Sequence, residues 1–168
     1  MKEAANLPLL VRVDNRLVHG QVLEAWVPAL EATCIWVIDD EAAGDELTQM
    51  AMSLAIPPRV TLTILTVAQA TTKLLSTEGV PPRALLLLRE VQSAVQLAQA
   101  GVKIARLNLG NIHFRAGRKQ VAPTLYLDAA ELEALESLAR AGTDIEWRAV
   151  PADAPISLAA MRAKHLSH

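Results

Sequence analysis

Short runs of β-forming, largely apolar residues alternate with helix-type segments along the whole 168-residue chain, and this alternation limits the fold more than any other feature. The strand-type runs are Leu9–Val13, Cys34–Ile38, Val60–Leu65, Ala84–Leu88, Ile104–Leu109, Thr124–Leu127 and Ile145–Ala149. Several are apolar throughout, as strands covered on both faces should be. Between them, helices are predicted near Gly20–Leu30, Glu41–Ala55, Val67–Leu75, Val91–Ala100 and Ala129–Ala141, with a last one over Ile156–Lys164. Leu132, Leu135 and Leu138 make one stripe of the Ala129–Ala141 segment, and Asp128 with Glu131 offers a capping box at its start. Gly101 and Gly142 stand where helices should end, while Pro57-Pro58 and Pro81-Pro82 mark loops entering strands. Repeated strand–helix–strand units imply right-handed crossovers. The expected fold is therefore α/β, an open, mainly parallel sheet of about six to seven strands with helices on both faces. No linker or internal repeat interrupts the pattern, so residues 1–168 read as one domain.

Composition narrows the function classes. The net charge is -2 and aromatics make up 3% of residues, so neither a basic field for nucleic acid nor rings for stacking bases or sugars are supplied. Cys34 is the lone cysteine, which rules out an intrachain disulfide and a cysteine-based metal cluster; inside Cys34-Ile35-Trp36-Val37-Ile38 it reads as a small buried hydrophobe. The opening residues carry only a short apolar run before Arg12, unlike a signal peptide, and no stretch approaches the roughly 20 apolar residues that span a bilayer. A cytoplasmic protein is expected.

In open parallel sheets, the functional crevice lies beyond the carboxyl ends of the strands. The first post-strand loop is the richest there: Val11-Arg12-Val13 runs into Asp14-Asn15-Arg16-Leu17-Val18-His19, and Gly20-Gln21-Val22 opens a helix. A neutral imidazole is nucleophilic near pH 7. A phosphate on that ring would need donors, which Arg16 supplies as a planar fork and the helix start supplies as backbone N–H groups. Gly20 leaves room for close approach, and Asp14 is placed to orient Arg16 or the ring of His19. On residue types alone, a hydrogen-bonded loop histidine without chemistry remains the competing reading.

The ordered string Arg12-Val13-Asp14-Asn15-Arg16-Leu17-Val18-His19-Gly20-Gln21-Val22 closely resembles the active-site segment of the IIB component of mannose-family sugar phosphotransferase systems. The resemblance continues in register through Val37-Ile38-Asp39-Asp40, Ala55-Ile56-Pro57-Pro58, Leu65-Thr66-Val67, Leu85–Leu88, Asn108-Leu109-Gly110-Asn111, Gly117-Arg118-Lys119-Gln120, Leu125–Asp128 and Trp147–Pro151. It implies that His19 is the phosphorylated residue and Arg16 the arginine contacting the phosphate, with Asp14, Asn15 and Gly20 supporting the loop. It further implies a IIA phosphohistidine donor and membrane IIC and IID subunits holding a hexose-type sugar; the residues themselves require no metal or organic cofactor. Attachment to the inner face of the membrane would then run through the permease subunits. Asn111-Ile112-His113-Phe114-Arg115 departs from the family's more glycine-rich loop, which puts partner fit in question but not His19. A regulatory sensor of phosphorylation state that serves no permease would use the same His19 loop. Neither the sugar nor whether identical chains associate can be read from the sequence.

The remaining polar residues have quieter readings. Asp39-Asp40 is expected to cap the next helix, because a receiver-type acidic pair would need partners that Asp14-Asn15, Thr66 and Asn108 do not provide. Arg118 and Lys119, with Arg115, are either a solvated turn or a docking patch for an acidic partner surface. His113 is expected to be a turn residue packing on Phe114, His165 and His168 part of a fraying tail, and Trp26 and Trp147 core or interface. No G-x-G-x-x-G or P-loop string occurs, which disfavours a nucleotide site.

Overall fold

A computed structural model describes residues 7–167. In chain order its strands are β1 (Leu10–Val13), β2 (Cys34–Ile38), β3 (Thr61–Leu65), β4 (Ala84–Leu88), β5 (Arg106–Leu109), β6 (Lys119–Ala122), β7 (Leu125–Leu127), β8 (Asp144–Trp147) and β9 (Ile156–Ser157). The helices are α1 (Val27–Leu30), α2 (Asp40–Ala43), α3 (Glu46–Ala55), α4 (Val67–Leu75), α5 (Val91–Gln99), α6 (Ala129–Arg140) and α7 (Leu158–Leu166). Seven strands form one sheet in the order β3-β2-β4-β1-β5-β8-β9, parallel except for β9. This is the expected α/β architecture.

Strand alternation sends neighbouring side chains to opposite faces, and both faces are covered. Leu86 and Leu88 join Val11, Val13 and Trp36 beneath α4, α5 and α6, whereas Leu85 and Leu87 join Leu10, Ile35, Val37, Leu17, Val22 and Trp26 on the other side. Cys34 is buried, as its apolar setting predicts. β1 lies between β4 and β5, and the chain leaves β1 toward β2 but later crosses to β5 on its other flank. The crevice of such a sheet opens where the connections diverge, so the loop after β1 is the favoured place for a site.

Several elements differ from expectation. The helix over 20–30 begins with a π-helical turn, Val22–Trp26, in which the Val27 amide bonds the Val22 carbonyl. Pro28 lacks an amide hydrogen, and its ring would press on the carbonyl four residues back; a widened turn relieves both problems. The segment over 41–55 is two helices, because Asp45 accepts from the Leu47 amide and starts a new one after Gly44. β7 stays outside the main sheet and forms a hairpin with β6, a strand whose mixed polar residues carry no periodic signal. Residues Ile156 and Ser157 form an antiparallel edge before the last helix begins. Gly101 and Gly142 do end helices, at φ of 99° and 107°, where a side chain would be strained. His165 is not frayed: it is 8% exposed on α7, and its carbonyl accepts from Lys119 Nζ at 3.2 Å. His168 and the opening residues 1–6, on which the signal-peptide reading rests, lie outside the described residues. Among the described residues no helix is long and apolar enough to cross a membrane.

Candidate active site

The site grows from the end of β1. The Asp14 amide donates to the Leu88 carbonyl, which fixes the loop's start, and the Leu17 amide bonds back to the Asp14 carbonyl at 3.0 Å, which closes a turn. Leu17 takes a left-handed conformation, φ 54°, that costs an ordinary residue about 1–2 kcal/mol. Its side chain is 1% exposed among the residues of the first-helix face, and that burial offsets the strain.

The reversal turns the Leu17 carbonyl toward His19, whose Nδ1 lies 2.8 Å away. A carbonyl only accepts, so Nδ1 carries the proton of the neutral ring. Nε2 lies buried, 3.6 Å from Asp14 Oδ2. The Leu23 amide bonds the His19 carbonyl, so the amides of Gly20, Gln21 and Val22 form the free first turn of the helix. An added Cβ on Gly20 would meet nothing within 4 Å, so packing does not demand glycine there.

Asp14 is fully buried and organises its surroundings. It accepts from Arg12 Nη2 at 3.0 Å, from the Arg16 amide at 3.0 Å and from Asn111 Nδ2 at 2.7 Å. Arg12 is equally buried. Its guanidinium also bonds Asn108 Oδ1 and the carbonyls of Arg148 and Ala149, and lies 4.9 Å from the Trp26 ring. Burial lowers the Arg12 pKa from its ordinary value, with Asp14 acting in the opposite direction; an arginine starts so high that it stays charged at neutral pH. Arg16 is 40% exposed and spans the mouth, with Nη2 2.8 Å from Gln21 Oε1 and Nε 3.7 Å from Asp14 Oδ1. Asn15 fastens the loop on two sides: Nδ2 donates to the Arg89 carbonyl after β4, and Oδ1 accepts the His113 amide after β5.

The structure thus brings Asp14, Asn15, Arg16, His19 and Gly20 together. Arg118 departs from the expected docking pair. It is 8% exposed and forks onto Glu131, Nε at 3.0 Å and Nη2 at 2.5 Å, while Nη1 donates to the His113 carbonyl. Glu131 belongs to the α6 capping box, so the arginine serves that helix start. Lys119 is exposed and bonds the His165 carbonyl. His113 is exposed, but Phe114 packs edge-on against Tyr126, ring centroids 5.8 Å apart, so the expected His113–Phe114 pairing gives way to that contact. Asp39 caps α2 as expected and holds Arg89 by two bonds, which raises the arginine's pKa; Asp40 instead receives the Val67 amide at the start of α4. Trp26 and Trp147 are core, each donating its indole N–H, to the Ala149 and Gly110 carbonyls.

Arg12, Gln21, Asn108 and Asn111 belong to the network although their sequence positions alone do not single them out. Two signals point to them: Arg12 is a charge inside the otherwise apolar strand Leu10–Val13, and all four residues lie in segments that carry the family resemblance.

Residues 9–167 match the family described as the PTS system sorbose subfamily IIB component. The chain is 31% identical over 149 residues to the mannose-specific EIIAB component of Escherichia coli, covering 89% of this chain and 46% of that one, so it spans about half the length of that relative. It is 30% identical to the N-acetylgalactosamine-specific IIB component 1 of Escherichia coli, covering 86% of this chain and 92% of that protein. The solved IIB domain of the sorbose permease from Klebsiella pneumoniae superposes with a TM-score of 0.86 at 25% identity, covering 93% of this chain and 96% of that one. With nearly its whole described length inside the family match, the chain belongs to the sorbose-subfamily IIB components of sugar phosphotransferase systems.

Proposed function

We propose that His19 carries a phosphoryl group between a IIA phosphohistidine and a hexose-type sugar held by membrane IIC and IID subunits, with residues 1–168 acting as one IIB unit at the cytoplasmic face of the membrane. One observation carries this reading: His19 stands at the crevice beyond β1 with Arg16, the free first-turn amides and open space at Gly20 around it. In the first transfer, the donor's P–N bond breaks and a P–N bond to His19 forms, returning a lone pair to the donor imidazole. In the second, the sugar hydroxyl attacks phosphorus, the His19 P–N bond breaks and the hydroxyl proton leaves to solvent or the freed ring. Such transfers need little from the protein beyond alignment and charge stabilisation.

The resting geometry adds a condition. Nδ1 faces the Leu17 carbonyl and Nε2 is buried beside Asp14, so the ring must swing outward before a nitrogen meets phosphorus. That movement carries it toward the exposed side of the loop, where Arg16 lies. The direct test is incubation with a phosphorylated IIA protein followed by site mapping. The label should sit on His19 in an acid-labile, alkali-stable bond, and label on any other residue would refute the reading.

Arg16→Lys separates a gripping arginine from a solvated one. Lysine keeps the charge but loses the planar fork. Single-turnover transfer should slow roughly 10- to 100-fold, equivalent to about 1.4–2.7 kcal/mol in the barrier. Urea melts of the unphosphorylated proteins should coincide, since Arg16 is 40% exposed and surface changes usually stay within about 0.5 kcal/mol.

The docking expectation narrows once Arg118 is committed to Glu131. Arg115, 55% exposed although 3.7 Å from Asp128 Oδ2 and Glu131 Oε1, and Lys119, exposed although bonded to the His165 carbonyl, still present charge at the surface near the turn. Reversing both to glutamate should slow phosphorylation by the IIA protein several-fold at low salt. The difference should fade as screening shortens toward a Debye length of about 8 Å at physiological ionic strength. An equal slowdown at every salt concentration would contradict electrostatic steering.

A further inference from the structure

Gly110 follows β5 and contacts no part of the His19 loop through a side chain, yet the geometry points to it as a positioning residue for the transfer; this inference rests on the phosphocarrier reading. Its amide bonds the Val13 carbonyl at 2.9 Å, so its α-carbon is pinned against the end of β1. Its carbonyl accepts from Trp147 Nε1 at 3.1 Å and Thr124 Oγ1 at 3.0 Å, which fixes the peptide from the other side. Clamped there, the missing side chain is the space in which the buried pair meets. A Cβ would overlap Arg12 Nη2 and Cζ and lie 2.8 Å from Asp14 Oδ2.

The backbone does not require glycine at this position. Gly79, Gly101, Gly117 and Gly142 have positive φ; Gly110 does not. The reason for glycine is therefore local volume, and the volume belongs to Arg12 and Asp14. Neither can retreat easily. Arg12 is tied to Asn108 and to the Arg148 and Ala149 carbonyls, and Asp14 to the Arg16 amide and Asn111. Any accommodation of a Cβ moves the carboxylate that stands beside the His19 ring and holds the Arg16 backbone. Misplacement by about 1 Å at a reacting centre can cost on the order of 100-fold in rate.

Gly110→Ala should slow single-turnover phosphorylation by IIA phosphohistidine roughly 10- to 100-fold. The donor concentration for half-maximal rate should stay as in the wild type, because no docking surface changes. A variant that merely folded less would lower the amplitude of phosphate uptake and leave the rate constant alone. Stability gives a second, independent measurement. In a background lacking both crowding groups, Arg12→Leu with Asp14→Ala, adding Gly110→Ala should leave the urea midpoint unchanged, whereas in the wild type it should lower it. That comparison decides the matter even where the single variant folds too poorly for kinetics, since contacting residues couple and independent ones add. A wild-type rate constant in Gly110→Ala, or an equal midpoint loss in both backgrounds, would overturn the assignment. Failure of the wild-type protein itself to take phosphate on His19 would instead refute the phosphocarrier reading.

Discussion

Replacing His19 by alanine should abolish phosphate uptake from a IIA protein while leaving a folded, soluble variant. The two halves of this expectation have different causes. Complete loss is expected because the ring is the acceptor we propose, and neither Arg16 nor the backbone amides of Gly20 to Val22 can form a bond to phosphorus that survives in water. Folding is spared because the ring contributes one hydrogen bond, to the Leu17 carbonyl, and its side chain is 13% exposed. A net loss of about 1 kcal/mol is expected, with water replacing the donor at the carbonyl. Leu17 keeps its left-handed conformation, since that is held by the burial of its own side chain. The measurements are urea denaturation and labelling with phosphorylated IIA protein, run on the same preparations. Labelling of His19→Ala at the wild-type rate would remove His19 from the reaction, whatever the family resemblance.

The fold is legible in the sequence because its signals are local. A run such as Ala84–Leu88, apolar at every position, can be stable only if both faces are covered, and it forms the strand between β1 and β2. The Asp128–Glu131 capping box, read from two residues three apart, forms as expected. What escapes such reading is set by partners distant in sequence. Nothing in Lys119–Ala122 announces a strand, because its pairing with Leu125–Leu127 leaves it half exposed and outside the sheet. Arg118 has the pattern of a surface charge beside Lys119, and only the fold brings Glu131 close enough to bury it.

The candidate site divides in the same way. His19, Arg16, Asp14, Asn15 and Gly20 lie within seven consecutive positions, 14 to 20, so adjacency along the chain is enough to put them on one loop. The layer behind them comes from three other segments. Asn108 and Asn111 flank the end of β5, the Arg148 and Ala149 carbonyls follow β8, and Trp26 belongs to the first helix. No spacing rule connects residues 12, 26, 108 and 149, since it is the β1–β5–β8 neighbourhood of the sheet that does so. The resemblance to the family gives roles to the front of the site, and it runs through Arg12, Asn108, Asn111, Arg148 and Ala149 without giving them one. That support is where stability and chemistry meet, because the same buried guanidinium holds the loop after β8 and the carboxylate beside His19.

The second large effect is therefore expected at Arg12. Arg12→Leu removes the buried cation and leaves Asp14 fully buried with two neutral donors, the Arg16 amide and Asn111 Nδ2, and with only the partly exposed Arg16 guanidinium, 3.7 Å away, as a nearby cation. Breaking a buried pair from one side typically costs about 3–5 kcal/mol, because the remaining charge has lost its buried partner without regaining water. The Arg148 and Ala149 carbonyls lose their Arg12 donors as well, although Ala149 keeps the indole N–H of Trp26. The combined loss should place the urea midpoint far below that of the wild type. Replacing Asp14 with an uncharged isostere should relieve the single variant. Adding Asp14→Asn to Arg12→Leu removes the lone charge and retains an oxygen for the Arg16 amide, so the pair of substitutions should recover more than half of the lost stability. Phosphate uptake should stay impaired in the double variant even where its fold is restored, since neither the guanidinium nor the carboxylate is present to hold the loop. Equal urea midpoints for Arg12→Leu alone and with Asp14→Asn would show that the loss comes from packing around the guanidinium, and that the buried ion pair contributes little to the stability of this fold.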